Sequence, residues 1–203
     1  MFDLLCLTDR TLCREPFLDR VAAIAAARPA ALILREKDLP EDQYQALAAQ
    51  VMSLCRQAGV PCILHTFVGA ARALGARAIH LPLPVLRTLS AGERAAFPAL
   101  GASCHSAEEA WEAVALGATH LTAGHVFATT CKAGLPGRGV EFLAQVRAAV
   151  PCPVYATGGG GPANPPALAQ AGAKGGCVRS PLMTCPDPGA YLLQWKEAAA
   201  HVL

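Results

Sequence analysis

The sequence lacks long apolar runs and any large excess of one charge. No uninterrupted apolar stretch reaches the roughly 18 residues that a membrane-spanning helix requires, so we expect no membrane partner. The formal net charge is only +2 with neutral histidines, which does not favour nucleic acid or an anionic membrane surface as a partner. The N-terminus has no basic segment before its apolar stretch, so we expect no signal peptide and a cytoplasmic protein.

Paired cysteines are also missing, although the chain has nine cysteines. None of them forms a C-x-x-C pair, and their positions are scattered along the sequence. The odd number and the scatter argue against a disulfide framework and against a zinc site. We interpret most of the cysteines as small apolar core residues in a reducing cytosol.

Short apolar runs alternate with longer segments rich in alanine and leucine throughout the 203 residues, of which 53% are hydrophobic. The short runs predict eight strands, at Leu4–Thr8, Ala31–Arg35, Cys62–His65, Ala78–Leu81, Leu100–Cys104, Thr119–Thr122, Val154–Ala156 and Gly175–Val178. The longer segments predict helices, at Pro16–Ala27, Glu41–Ala58, a short stretch ending at Leu74, Ala107–Leu116, Glu141–Val150, Pro165–Ala171 and Gly189–His201. The least regular part is Leu83–Phe97, which begins with two prolines.

This alternation predicts an α/β protein with a parallel sheet. Glycine, Gly-Ala or proline precedes four of the predicted strands, and that regular punctuation favours a closed barrel over an open sheet. No low-complexity linker interrupts the pattern. We therefore predict a single (β/α)8 TIM barrel domain over residues 1–203, with its active site at the C-terminal ends of the strands.

A run of glycines after the seventh predicted strand is the sharpest local signal. Gly158, Gly159 and Gly160 let backbone N–H groups approach an anion closely, and the loops after strands seven and eight are the recurrent phosphate site of this fold. We predict that these glycines bind phosphate together with Arg179 and Ser180 after strand eight. The alternatives are a merely flexible turn and a solvated arginine.

Two cations and several histidines also follow predicted strands. Arg35 and Lys37 are two residues apart, so they should face the same side of the barrel mouth and meet a second anionic group of a ligand. The alternative is a surface ion pair with the neighbouring acids at 36 and 38. His65, His105 and His125 fall at strand ends, where they suit acid–base work, although any one of them could be structural.

The remaining histidines and the acids at the mouth are weaker candidates for catalysis or metal binding. His80 alternates with apolar neighbours and is interpreted as a core residue, whereas His120 begins a strand at the opposite end of the barrel. Asp9, Glu36 and Asp38 do not form a pair of carboxylates on neighbouring strands that would hold Mg²⁺ with a diphosphate.

Four segments together resemble the thiamine-phosphate synthase / TenI superfamily: Leu7–Arg10, Leu34–Asp38, Ala78–Leu81 and the glycine run. The likeness extends over nearly the whole chain in the correct order. It implies a barrel that acts on a small phosphorylated thiazole in thiamine biosynthesis.

The synthase branch of this superfamily joins an aminopyrimidine diphosphate to a thiazole phosphate and uses Mg²⁺. Its two metal-holding aspartates lie in an Asn-Asp pair after strand three and in a Gly-Gln-x-Asp segment after strand four. Here the corresponding residues are His65-Thr66 and Pro82-Leu83-Pro84-Val85, so both aspartates are absent. A reaction with a diphosphate leaving group is hard to sustain without its metal, and we expect no metal or other cofactor.

The TenI branch is similar to this chain elsewhere. Gly124–Gly139 resembles its G-H-V-F-x-T-x-x-K-x-G-x-x-G-R-G motif, and Ser103–Ser106 resembles its S-V-H-S. This likeness implies an isomerase, thiazole tautomerase, which aromatises a carboxythiazole phosphate by a proton shift.

Within that interpretation, each site residue has an expected role. His125 matches the proton-transfer residue of the TenI branch, and His105 is the second catalytic candidate. Thr129 and Lys132 are expected to bind substrate together with Arg35 and Lys37.

Two alternatives stay open: a thiamine-phosphate synthase, and a non-catalytic paralogue that binds thiazole phosphate or thiamine phosphate. Thr157-Gly158-Gly159-Gly160 stands where the superfamily usually has Ile-Gly-Gly-Ile, and Arg179 is an unusual residue for its loop. Barrels often dimerise through their outer helices, so a homodimer also stays open.

Overall fold

Eight parallel strands form a closed barrel in the computed structural model of the chain, which describes residues 2–129 and 134–200. The strands pair in sequence order, and β8 returns to pair with β1. They are β1 (Asp3–Leu7), β2 (Ala31–Leu34), β3 (Cys62–His65), β4 (Ala78–Pro82), β5 (Ala99–Cys104), β6 (His120–Gly124), β7 (Val154–Thr157) and β8 (Gly175–Val178). The predicted (β/α)8 barrel is confirmed.

Helices follow each strand of the barrel except β1, where a 3-10 turn at Arg10–Leu12 precedes the first helix. They are α1 (Phe17–Ala26), α2 (Glu41–Ala58), α3 (Val68–Ala73), α4 (Leu83–Thr88), α5 (Ala91–Ala95), α6 (Ala107–Ala115), α7 (Gly139–Ala149), α8 (Pro165–Gln170), α9 (Ser180–Thr184) and α10 (Pro188–Ala200). The short helix α9 and the 3-10 turn were not expected from the sequence.

The segment Leu83–Phe97 is more regular than the sequence suggested, because it contains α4 and α5. Pro84 lies in the first turn of α4, where a missing N–H costs nothing. Ser90 caps α5 through a reciprocal capping box with Glu93: the Glu93 backbone N–H donates to Ser90 Oγ, and the Ser90 N–H donates to the Glu93 carboxylate. Prolines and short helices therefore explain the irregular appearance.

Strand side chains alternate between two apolar cores. The larger core lies between the strands and the surrounding helices. A smaller cluster fills part of the barrel interior and comprises Leu5, Ala31, Ile33, Ile63 and Cys177. The interior positions of β3 to β6 instead carry polar side chains, which are His65, His80, Ser103, His120 and Thr122. One side of the barrel interior is thus apolar and the other is polar.

The eight cysteines in the described part of the chain are all free. Four of them are buried, and four are half-buried. Burial raises the pKa of the Cys104 thiol to about 12, which keeps it protonated and unreactive. The interpretation as core residues therefore holds fully for half of them, and Cys131 lies outside the described residues.

Two surface properties bear on partners. Within residues 2–129 and 134–200, no helix combines the length and the apolar character needed to cross a membrane. Trp111 on α6 is 66% exposed and is a large apolar side chain on the outer face of the barrel. The homodimer stays a prediction.

Candidate active site

A cavity of about 980 Å³ opens at the C-terminal ends of the strands. Every site residue predicted from the sequence lines this cavity, apart from Lys132, which lies outside the described residues. These residues come from loops that are far apart in the sequence, and the barrel closure brings them to one mouth. Arg87 of α4 and Glu109 of α6 also line it, and neither was expected from the sequence because both lie on helices rather than at strand ends.

The loop after β2 places two cations on the cavity wall and one carboxylate beneath them. Arg35 and Lys37 line the cavity, as their spacing predicted, whereas Glu36 between them is buried. Glu36 accepts hydrogen bonds from Thr8 Oγ1 at 2.6 Å and from the Arg10 backbone N–H at 3.0 Å. Asp38 pairs with the Arg10 guanidinium. Glu36 and Asp38, the two acids considered as ion-pair partners for Arg35 and Lys37, therefore form hydrogen bonds and an ion pair with residues that follow β1.

Burial raises the pKa of the Glu36 carboxyl, and the hydrogen bonds from Thr8 and Arg10 act against that shift. The pKa of Lys37 is lowered, first by partial removal of its ammonium from water and then by the guanidinium groups of Arg35 and Arg179. Lys37 remains exposed at the rim despite this partial desolvation. Arg35, Lys37 and Arg179 all line this cavity.

Three histidines lie along the polar side of the barrel interior. His65 and His80 stack with ring centroids 5.8 Å apart, and His80 lies 5.7 Å from His120 below it. His80 Nε2 is 2.9 Å from Ser103 Oγ and 3.1 Å from Thr122 Oγ1, so the interpretation of His80 as a satisfied core histidine was partly right. The second nitrogen of His80 has no partner among the described residues.

The unpartnered nitrogens of His80 and His120 face the same small space above Gly101. A Cβ atom at Gly101 would lie 2.4 Å from His80 Nδ1 and 2.3 Å from His120 Nε2. Glycine is therefore required on β5 to make room for the two rings. Position 120 at the start of β6 did not suggest this contact, because neighbouring strands of a barrel are staggered and β6 begins beside Gly101.

All three rings are neutral at physiological pH. Burial lowers the pKa of His65 to about 3, and the nearby charges of Lys37 and Arg35 add to the shift. Burial lowers the pKa of His120 to about 4. Burial also lowers the pKa of His80 well below its ordinary value, with further contributions from His65 and His120. These rings can orient or contact a ligand, but they are poor proton acceptors.

His105 and His125 occupy different environments at the mouth. His105 is half-buried, and its Nδ1 lies 3.2 Å from the Glu109 carboxylate, which also accepts the His105 backbone N–H at 2.6 Å. His125 is buried, and its Nε2–H donates to the Pro136 carbonyl oxygen at 2.9 Å. The His125 side chain therefore holds the loop between β6 and α7.

The glycine run packs directly against this loop. A Cβ at Gly158 would lie 2.4 Å from His125 Cβ, and a Cβ at Gly159 would lie 2.2 Å from the Ala128 carbonyl oxygen. Both glycines have positive φ values, of 91° and 70°, that favour glycine. Phe127 N–H donates to the Gly158 carbonyl oxygen at 3.0 Å. The two loops form one wall, and Gly160, Ser180 and Thr129 line the cavity beside it.

The chain does not offer a carboxylate site for a divalent metal in its described part. No group of three His, Cys, Asp or Glu side chains among the described residues could hold a metal ion. Thr66 follows β3 and Val85 lies in α4, at the two positions where the resemblance would place metal-holding aspartates. The residues present therefore do not fit a family magnesium ion.

Comparison with known proteins identifies the family. The sequence model of the thiamine monophosphate synthase family, TMP-TENI, matches residues 4–182. The thiamine-phosphate synthase of Roseiflexus sp. (strain RS-1) is 36% identical over 192 residues, with 91% of this chain and 79% of the relative covered. That of Syntrophomonas wolfei is 33% identical over 193 residues, with 92% of this chain and 90% of the relative covered.

A solved structure gives the same result. The thiamine phosphate pyrophosphorylase from Pyrococcus furiosus superposes with a TM-score of 0.85 at 27% sequence identity. The superposition covers 100% of this chain and 97% of the other.

The expected isomerase is wrong, because the relatives are named as synthases, which are transferases. The described residues of the segment that resembles the TenI motif are constrained by packing. A Cβ at Gly137 would lie 2.6 Å from the Val126 carbonyl oxygen, and Gly139 has a φ of 84°. Together with the bond between His125 and Pro136, these constraints build the loop that supports the glycine run, and they do not require a proton shift. The chain belongs to the thiamine-phosphate synthase family.

Proposed function

We propose that the protein is a transferase that joins an aminopyrimidine diphosphate to a thiazole phosphate. The proposal is carried by one observation: in a chain of this family, a glycine run and cations from the loops after β2 and β8 line the same cavity. Its volume of about 980 Å³ lies near the upper end of the range of about 300–1,000 Å³ for small-ligand sites. Two small substrates therefore have room to lie side by side.

The thiazole phosphate is proposed to bind at the wall formed by Gly158, Gly159 and Gly160, with Arg179 and Ser180 beside it. Gly158 and Gly159 have positive φ values, and the absence of side chains at these glycines lets a phosphate come close to the backbone. Thr129 lies on the same side of the cavity and is proposed to contact the same substrate. Lys132 keeps its proposed substrate-binding role by sequence alone.

The diphosphate is proposed to lie against Arg35 and Lys37, which follow β2 and line the same cavity. When the bond between the pyrimidine and the diphosphate breaks, negative charge grows on the leaving diphosphate. A guanidinium fork and an ammonium held in place before the reaction stabilise that charge more in the transition state than in the ground state. The neutral rings of His65 and His80 line the floor between the two walls and give the reacting groups a partly desolvated surface.

The test is a coupling assay with purified protein, the two substrates and detection of released pyrophosphate. Wild-type protein should form thiamine phosphate, and Arg35→Gln should lose at least tenfold in kcat/KM. Arg56→Gln, an exposed arginine on α2, serves as the matched control and should retain full activity. Absence of product, together with failure to rescue a synthase-deficient strain, would reject the transferase.

A second candidate is a binding protein that holds thiazole phosphate without turnover. It is favoured by Thr66 and Val85 at the positions expected to hold metal. It predicts saturable binding of thiazole phosphate in calorimetry with no pyrophosphate release. Any turnover above the uncatalysed rate would eliminate this candidate.

The protein is proposed to be cytoplasmic. The eight described cysteines are unpaired, which is typical of a reducing compartment.

A further inference from the structure

The two positions that would supply metal carboxylates are committed to other contacts. Thr66 has a φ of 70°, and its Oγ1 lies 2.6 Å from His65 Nδ1. Val85 in α4 packs against the main apolar core. Neither side chain carries a charge, and the Val85 side chain offers no oxygen to a cation.

The remaining acids of the mouth are also engaged. Glu36 is buried and accepts from Thr8 and from the Arg10 backbone. Asp9 accepts from Thr11 Oγ1 at 2.6 Å and lies 3.7 Å from the Arg179 guanidinium. Glu109 is bonded to His105. These carboxylates lie on separate segments of the chain, and each already forms an ion pair or accepts a hydrogen bond. Each would therefore have to give up a contact to bind a cation.

Cations, by contrast, reach the cavity from the two strands that flank β1. Arg35 and Lys37 follow β2, and Arg179 follows β8, while β1 lies between these two strands. Partial burial lowers the pKa of Lys37 first, and the guanidinium groups of Arg35 and Arg179 lower it further. Like charges that line one cavity repel each other, and a polyanion that binds among them offsets that repulsion.

We propose that the mouth binds the diphosphate group of its substrate through Arg35 and Lys37, with Arg179 shared between the diphosphate and the thiazole phosphate, and without a divalent metal ion. Guanidinium groups give paired hydrogen bonds to phosphate oxygens, and the ammonium adds a compact charge. A magnesium ion brought in with the diphosphate would meet three cations and no available carboxylate pair. It would also lower the charge of the diphosphate that these cations attract, so Mg²⁺ should leave binding unchanged or weaken it.

The decisive experiment is titration calorimetry of the full chain with inorganic pyrophosphate, first in EDTA and then with excess Mg²⁺. Saturable binding in EDTA is expected, with an affinity in Mg²⁺ that is the same within threefold or weaker. Tightening of tenfold or more on addition of Mg²⁺ would overturn the inference. The absence of pyrophosphate binding in EDTA would overturn it as well.

Charge-removing variants test which side chains bind. Arg35→Gln and Lys37→Gln should each weaken pyrophosphate binding in EDTA by at least tenfold, and Arg56→Gln should not change it. Circular dichroism spectra that match wild type would show that the variants are folded. Unchanged affinity in both variants would refute the assignment to these cations.

A gain-of-metal variant provides the converse test. Thr66→Asp suits a positive φ better than the β-branched threonine does, and Val85→Asp introduces a carboxylate in the first turn of α4. Pyrophosphate binding by the double variant should tighten at least tenfold with Mg²⁺, whereas the paired Asn variant should not respond. A wild-type response to Mg²⁺ as large as that of the double Asp variant would contradict the proposal.

This inference rests on the proposed function only in taking the diphosphate to be part of the substrate. Metal-free pyrophosphate binding without coupling activity would remove the transferase and leave the inference standing. Coupling activity that EDTA abolishes would confirm the transferase and overturn metal-free binding. Failure of the proposed function and failure of metal-free binding therefore give different results.

Discussion

The three stacked histidines predict that the fold loses stability steeply in mild acid. His65, His80 and His120 are buried with lowered pKa values, about 3 for His65 and about 4 for His120. In the unfolded chain a histidine has a pKa of about 6.5. Above that pH both states are neutral and the full stability is present. As the pH falls below it, the unfolded state takes up protons that the folded state refuses, so folding becomes less favourable.

The size of the effect follows from these values. Between pH 7.5 and pH 5.5 one such histidine lowers the free energy of unfolding by about 1.4 kcal/mol. Most of this loss falls below about pH 6.5, where a difference of one bound proton is worth about 1.36 kcal/mol per pH unit. His65 and His120 together then cost about 3 kcal/mol, which is a large part of the roughly 5–15 kcal/mol that stabilises a typical domain, and His80 adds to the loss in the same direction. The buried Glu36 acts in the opposite direction: its raised folded pKa means that the folded state takes up a proton more readily as the pH falls.

The measurement is the free energy of unfolding by urea at pH 7.5 and at pH 5.5, for wild type and for His65→Asn. Comparison of the two proteins cancels the contribution of Glu36 and of the other acids. The variant should lose about 1.4 kcal/mol less than wild type over this interval, whatever its stability at pH 7.5. An equal loss in both proteins would show that the His65 ring is protonated in the folded state, and the account of the buried histidines would be wrong.

Glycine substitutions test the two close approaches in the structure. Gly101→Ala should destabilise the fold by about 1–3 kcal/mol in urea unfolding, since its Cβ would overlap the rings of His80 and His120. Gly92→Ala in α5 meets no atom within 4 Å and should be neutral or slightly stabilising; equal losses in both variants would contradict the packing described. Gly158→Ala should weaken binding of thiazole phosphate at least tenfold in calorimetry, because its φ is 91° and its Cβ would overlap His125. Gly92→Ala, which lies outside the site, should leave this affinity unchanged, so similar losses in both would argue against a phosphate loop shaped at Gly158.

The order of elements could be predicted from the sequence because the strands are short apolar runs and glycine or proline precedes four of them. The cations at 35 and 37 could be placed on one wall because strand ends gather at the mouth of a barrel. The α4–α5 segment was harder to predict. Its signals were present, namely a proline suited to a first turn and the Ser90–Glu93 capping box, but the helices are only six and five residues long. Periodicity cannot be measured over so few residues.

The histidine stack could not be predicted for a different reason. Alternation along β4 and β6 shows which side chains face the interior, but the contact between His80 and His120 depends on the stagger between strands and on the missing side chain at Gly101. Those are properties of the closed barrel and not of any one segment. The choice of branch failed similarly, because His125 and Gly137, which resembled parts of a catalytic motif, make a hydrogen bond and close backbone contacts in the structure.

Charge balance explains how this mouth could lose its metal carboxylates and still bind a diphosphate. Two aspartates carry two negative charges and one magnesium ion carries two positive charges, so their joint removal leaves the net charge of the site unchanged. The positive charge of Arg35, Lys37 and Arg179 then remains at the cavity. What changes is its distribution, because two guanidinium forks and an ammonium spread the positive charge over a wider surface than one ion does. Stabilisation of the leaving diphosphate therefore depends on how firmly these three side chains are held, and Asp9, 3.7 Å from Arg179, is positioned to orient one of them.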